Sequence, residues 1–255
     1  MPKFAANLTM LFNEVPFLDR FKAAAEAGFQ GVEYLFPYDY QADELVERLR
    51  SNNLTQVLHN MPAGNWGGGE RGIAVLPDRQ EEFREGVERA ITYATALGCE
   101  QVNILAGIAG DVDPADAKRV FVENLKYAAP KLKDAGLKLL IEMINTRDIP
   151  GFYLTTTKQA LGILEDVGSD NLYLQYDIYH MQIMEGDLAR TIEANLPKIA
   201  HVQLADNPGR NEPGTGEINY PFLYHHLDNI GYEGWVGAEY KPKDGTAAGL
   251  GWLPK

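Results

Sequence analysis

The chain has 255 residues, 45% hydrophobic and 23% charged, the composition of a water-soluble globular protein. Its 36 acidic residues against 23 Lys and Arg give a net charge of −13, which argues against a nucleic-acid partner, because such partners need a basic patch. The single cysteine, Cys99, excludes an intrachain disulfide and fits a reducing compartment. No apolar run reaches the roughly 18 residues of a membrane span, and "MPKFAANLTM" lacks the pattern of a signal peptide. The expectation is a cytoplasmic protein that meets neither membrane nor nucleic acid.

Short apolar or β-branched runs recur along the chain: "FAANLTM", "GVEYLF", "TQVLHN", "QVNILAG", "LKLLIEMIN", "LYLQYD", "AHVQLAD" and "WVGAEY". Segments with helical spacing separate them, from "PFLDRFKAAAEAGF" near the start to "YPFLYHHLDNIG" near the end. Leu45 and Leu49, with Val46 beside them, form the apolar stripe of an amphipathic helix. Gly28, Gly98, Gly136, Gly168 and Gly231 stand where helices end ahead of the next strand. No linker, charge block or low-complexity segment divides the chain. Eight strand–helix units in this length predict one domain over residues 1–255, a closed (β/α)8 barrel of the TIM type. A doubly wound open sheet is the runner-up, but no GxGxxG follows the first strand, so no nucleotide cofactor is expected.

Polar residues end nearly every predicted strand: Asn7, Glu33, His59 with Asn60, Asn103, Glu142, Asp177, Gln203 and Glu239. In a barrel such positions gather at the C-terminal mouth, where the active sites of this fold lie. Three carboxylates gathered there would repel one another unless a cation offset them. Glu142, Asp177, Gln203 and Glu239 therefore predict an all-oxygen metal site, suited to Mg²⁺ or Mn²⁺. Zinc would prefer histidine or cysteine, and the centre is expected to have neither.

His180 follows Asp177 by three residues, at the start of a loop or helix. The stretch "ADNPGRNEPGTGEINY" carries Arg210 seven residues past Gln203. A guanidinium there suits a substrate carboxylate; alternatively Arg210 pairs with Glu212 or Glu217. The glycine-rich "NMPAGNWGGGERG" does not match a P-loop, and with Trp66 and Arg71 it reads as a lid that excludes water. His225 and His226 read as surface or packing residues.

Nearly the whole chain resembles the hydroxypyruvate isomerase family, within the xylose-isomerase-like TIM barrels. The resemblance is carried by "FAANLTMLF", "GFQGVEYLFPYDY", "LHNMPAGNW", "GERGIA", "QYDIYHMQIMEG", "ADNPGRNEPGTGEINY" and "GWVGAEYKP". It implies that Glu142 and Glu239 act as proton donor and acceptor in turning hydroxypyruvate into tartronate semialdehyde. The related ketose 3-epimerases bind a divalent metal through Glu, Asp, His and Glu, and Gln203 stands at the histidine position. His180 and Arg210 match substrate contacts of those epimerases, and Asp148 matches a further acid loosely. Asn7 and His59, at strand ends, complete the expected substrate contacts. The sister 2-oxo-tetronate isomerases are similar in "FAANL", "EINYP" and "EYKP" but differ after the third strand and within the arginine loop. The expected partner is a small hydroxy or keto acid, with a homo-oligomer as open as a monomer. A metal-dependent nuclease would need zinc ligands and a basic groove, and a non-catalytic sugar-acid sensor would not need two opposed glutamates.

Overall fold

The computed structural model of the protein describes residues 1–254. Its strands are β1 (Lys3–Asn7), β2 (Gly31–Tyr34), β3 (Thr55–Asn60), β4 (Gln101–Ile104), β5 (Lys138–Glu142), β6 (Leu172–Asp177), β7 (Ile199–Leu204) and β8 (Trp235–Ala238). Between them run α1 (Phe17–Glu26), α2 (Ala42–Ser51), α3 (Gln80–Leu97), α4 (Pro114–Asp134), α5 (Thr157–Val167), α6 (Ile178–Met184), α7 (Leu188–Asn195) and α8 (Tyr220–Asn229). The strands close into a barrel in sequence order. Parallel pairing of β1 with β8 as well as with β2 rules out the open doubly wound sheet. Among the described residues no helix is long and apolar enough to cross a membrane.

The chain falls into two compact units, residues 1–57 with the chain from Tyr176 onward, and residues 58–175. In the first, Ala5 of β1 pairs with Gly31 on one side and Gly237 on the other. The same register sets Asn7 opposite Glu33, and Gln203 of β7 opposite Gly237. A Cβ on Gly237 would lie 2.3 Å from Glu33 Oε2, so the missing side chain makes room for a buried carboxylate. Outside these strands, α1 buries Phe21 and Ala24 and α2 buries Leu45 and Leu49, the helical stripe that the sequence predicts. Phe17 stacks on Tyr40 with ring centroids 4.9 Å apart and meets Tyr34 edge-on.

In the second unit β4 pairs with β3 and β5, setting Asn103 opposite Asn60 and Leu140, and β5 pairs with β6, setting Glu142 opposite Gln175. Helix α3 buries Phe83, Val87, Ala90, Ala94 and Leu97 at alternating steps of four and three, and Gly98 ends it in the left-handed conformation. Helix α4 starts where Asp113 accepts the backbone N–H groups of Ala115 and Asp116, with Pro114 at its first position.

Candidate active site

In the first unit, the polar ends of β1, β2, β7 and β8 converge on Glu33. Its Oε1 accepts from Asn7 Nδ2 at 3.0 Å and Gln203 Nε2 at 2.7 Å, and its Oε2 faces His201 Nε2 at 2.7 Å. His201 and Gln203 share a face of β7 because side chains alternate along a strand. Gln203 Nε2 spends its other proton on Glu239 Oε2, at 2.5 Å. Glu239 lies one residue past β8, where its N–H still pairs with Leu204 O at 3.1 Å. Arg210 Nη2 donates to the remaining Glu239 oxygen at 3.0 Å. Every oxygen of this carboxylate is thus held by a neighbouring donor.

Asp177 serves two elements at once. It ends β6, and its Oδ1 caps α6 by accepting the N–H groups of Tyr179 (2.8 Å) and His180 (3.5 Å). That first helical turn carries His180 back beside Asp177, with Nε2 3.6 Å from Oδ2. Arg210 Nη2 stands 3.5 Å from the same imidazole nitrogen and 3.9 Å from Asp177 Oδ2, while its guanidinium lies over the Tyr179 ring at 5.2 Å. Arg210 turns to Glu239. Glu212 accepts from Lys243 N at 3.1 Å, and Glu217 from Asn207 Nδ2 at 2.6 Å.

Burial dominates the acid–base state of this group. It pushes Asp177 up to about 6, Arg210 and the capping N–H groups opposing it and Glu33 adding to it. It pushes Glu239 up to about 8, with Arg210 and Gln203 opposing and with Asp177 and Glu33 reinforcing. His180 is held well below the usual imidazole range, first by burial and then by Arg210, so its ring is neutral. Asp177 Oδ2 is buried and accepts no hydrogen bond among the described residues. A buried carboxylate oxygen without a donor is costly, and a cation is the natural remedy. The presence of His180 corrects one expectation: a nitrogen donor does stand beside the oxygen set, so the centre is not without histidine.

In the second unit, Asn103 Nδ2 donates to Glu142 Oε2 and to Asn60 Oδ1, each at 3.1 Å. His59 is fully buried, its Nδ1 3.1 Å from Asn60 O, and burial lowers it to about 4. Asp148 is exposed on the loop after β5, its N–H bound to Asn145 Oδ1 at 2.8 Å. The Arg71 guanidinium lies 4.3 Å over the half-buried Trp66 ring and donates to Trp66 O at 3.1 Å. His225 is exposed and His226 half-buried, as surface or packing residues should be.

His201 is the polar neighbour that sequence reasoning misses. The available signal is its position two residues before Gln203, on the same strand face.

A family model described as xylose isomerase-like TIM barrel matches residues 21–255. The hydroxypyruvate isomerase of Escherichia coli (strain K12) is 55% identical over 254 residues, covering 99% of this chain and 98% of its own. A 2-oxo-tetronate isomerase of Cupriavidus necator is 48% identical, with the same coverage of 99% and 98%. A crystal structure described as AP endonuclease, family 2, from Brucella melitensis superposes with a TM-score of 0.98 at 49% identity, over 99% of this chain and 98% of that one. The chain belongs to the xylose isomerase-like TIM barrel family and is an enzyme of the isomerase class.

Proposed function

We propose that residues 1–255 work as one barrel domain that interconverts hydroxypyruvate and tartronate semialdehyde in the cytoplasm. The observation that carries the reading is Glu239: a buried carboxyl pushed up to about 8, between an amide and a guanidinium. Such a group both takes and returns a proton near neutral pH. Glu142, ending β5 with Asn103 bound to one oxygen, is its partner.

One glutamate takes a proton from C3, the carbon bearing the hydroxyl. The C–H electron pair becomes the C2=C3 bond of an enediolate, and the C2 carbonyl oxygen takes the charge. The second glutamate delivers a proton to C2, the C3 oxygen becomes the aldehyde carbonyl, and the hydroxyl proton passes to the C2 oxygen. Arg210 binds the substrate carboxylate, and neutral His180 supports it. Asn7, His59 and Asp148 are further proposed contacts, and the Trp66–Arg71 stack is the proposed lid that excludes water.

Asp177 and His180 set an oxygen and a nitrogen donor side by side, and Glu142 is proposed as a further metal ligand. Together with Gln203 and Glu239 they would hold Mg²⁺ or Mn²⁺, and the orphaned Asp177 Oδ2 supports that fit. A bound divalent ion would polarise the carbonyl and offset the enediolate charge.

A four-carbon substrate is the second reading, favoured by the relative named 2-oxo-tetronate isomerase. The name of the Brucella melitensis structure does not transfer, because a net charge of −13 opposes a nucleic-acid backbone. Turnover of three- to six-carbon keto acids and ketoses, with Mg²⁺ or Mn²⁺ after EDTA treatment, tests the assignment. Hydroxypyruvate should give the highest kcat/KM; a higher value for a four-carbon acid would replace it.

A further inference from the structure

A buried carboxylate that the proposed chemistry does not use organises the loop between β7 and α8. Asp206 Oδ1 accepts the backbone N–H groups of Asn207 (2.9 Å) and Ile218 (3.1 Å). Its Oδ2 accepts those of Gly214 (2.8 Å) and Gly216 (2.9 Å). Four main-chain donors from the two sides of the loop thus meet on one side chain. Buried main-chain N–H groups need acceptors, and one side chain here supplies them for four.

What this gathering encloses is Arg210. The N–H of Asp206 donates to Asn211 O at 2.8 Å, closing a tight turn in which Arg210 takes a left-handed φ of 54°. Lys241 N donates to Arg210 O at 2.7 Å, and Asn211 Nδ2 to Lys241 O at 2.8 Å, tying the turn to the chain after β8. On its return the loop presses so closely on itself that a Cβ on Gly216 would lie 2.0 Å from Asn207 O. The backbone of Arg210 is therefore fixed from both sides, and only its side chain spans the distance to Glu239.

We propose that Asp206 is a positioning residue: its carboxylate gathers the loop's N–H groups and so holds Arg210 at the reach needed to grip the substrate's carboxylate. The proposal rests on the reading of Arg210 given under the proposed function. Asp206→Asn is the informative change. Its amide nitrogen would face two N–H donors, removing half of the four bonds while keeping the volume.

The test measures kcat and KM for hydroxypyruvate and for the neutral ketose dihydroxyacetone in wild type, Asp206→Asn, Arg210→Ala and the double variant. Asp206→Asn should raise KM for hydroxypyruvate roughly 10-fold, the low end of what losing one hydrogen bond to a charged group costs. Its kcat/KM for dihydroxyacetone should change less than about twofold. On the Arg210→Ala background it should add less than about twofold, because coupled sites are not additive. Brief trypsin treatment should also cut after Arg210 sooner in Asp206→Asn than in wild type. A full second loss in the double variant, or equal losses on both substrates, would overturn the proposal. Should Arg210→Ala itself treat the two substrates alike, the carboxylate role of Arg210 falls, and the coupling between the two positions still decides the role of Asp206. If Asp206→Asn does not fold, Gly216→Ala disturbs the same gathering while leaving the Asp206 side chain in the sequence, since its Cβ would lie 2.0 Å from Asn207 O and 2.8 Å from Asp206 Oδ1. It should then show the same KM rise and the same early cut; unchanged KM and cleavage would contradict the proposal.

Discussion

Glu239 has no close parallel among the other carboxylates of its unit, because its oxygens are shared between Gln203 and Arg210 while burial drives it toward its neutral form. A proton on that carboxyl weakens its attraction to Arg210 and leaves the guanidinium freer for an anionic substrate. Removing the acid while keeping the shape separates chemistry from folding. Glu239→Gln and Glu142→Gln should each lower turnover about 10² to 10⁴-fold, the usual contribution of a general acid–base group. Thermal midpoints should stay near wild type or rise for Glu239→Gln, since an amide carries no buried charge. The double variant should be little worse than either single one, because the proposed mechanism uses the two as a pair. Steady-state turnover checks this, and near-wild-type kcat in either single variant would remove that glutamate from the mechanism.

At the scale of elements, the site depends on how closely β8, β1 and β2 approach. Gly237 lets the Glu33 carboxylate lie against the β8 backbone, and Glu33 braces the Gln203 amide that reaches Glu239. Gly237→Ala should therefore cost about 1–3 kcal/mol by overpacking and lower turnover as well. Thermal unfolding together with kcat tests both halves; a variant unchanged in both would show that Glu33 is free to shift. The eight strands and the residues at their ends were legible because a polar side chain closing an apolar run is visible in the sequence, as at Glu142, Asp177 and Gln203. His201 was not, since it lies within the apolar run of β7 and shows its role only opposite Glu33. Helix α6 was left undecided between loop and helix because Asp177 is both the last residue of β6 and the cap of that helix. Asp206 left no trace because its partners are backbone N–H groups, which every residue but proline carries. That Arg210 would turn to Glu239 could not be read from loop spacing alone.

Over the whole molecule, a net charge of −13 and a centre of buried acids set how stability follows pH. Asp177 and Glu239 bind a proton more tightly folded than unfolded, with folded values of about 6 and about 8. Their contribution is thus fully present below the unfolded carboxylate values near 4. It is lost as pH rises through about 6 and about 8. With EDTA present, the thermal midpoint should fall between about pH 4 and about pH 8, the upper part of the fall being absent in Glu239→Gln, and Mn²⁺ should reverse the fall by offsetting the charge. A decline of equal slope in both proteins, untouched by Mn²⁺, would mean that neither carboxylate titrates there. The proposed reaction is a proton transfer within a small molecule, and the exchange of that proton is the most direct observable. Hydroxypyruvate incubated with the protein and Mn²⁺ in D₂O should lose C3 protium by NMR at a rate that scales with enzyme and appear as tartronate semialdehyde bearing deuterium at C2. Glu142→Gln and Glu239→Gln should suppress that product. No enzyme-dependent exchange and no aldehyde in the wild-type protein would contradict the assignment.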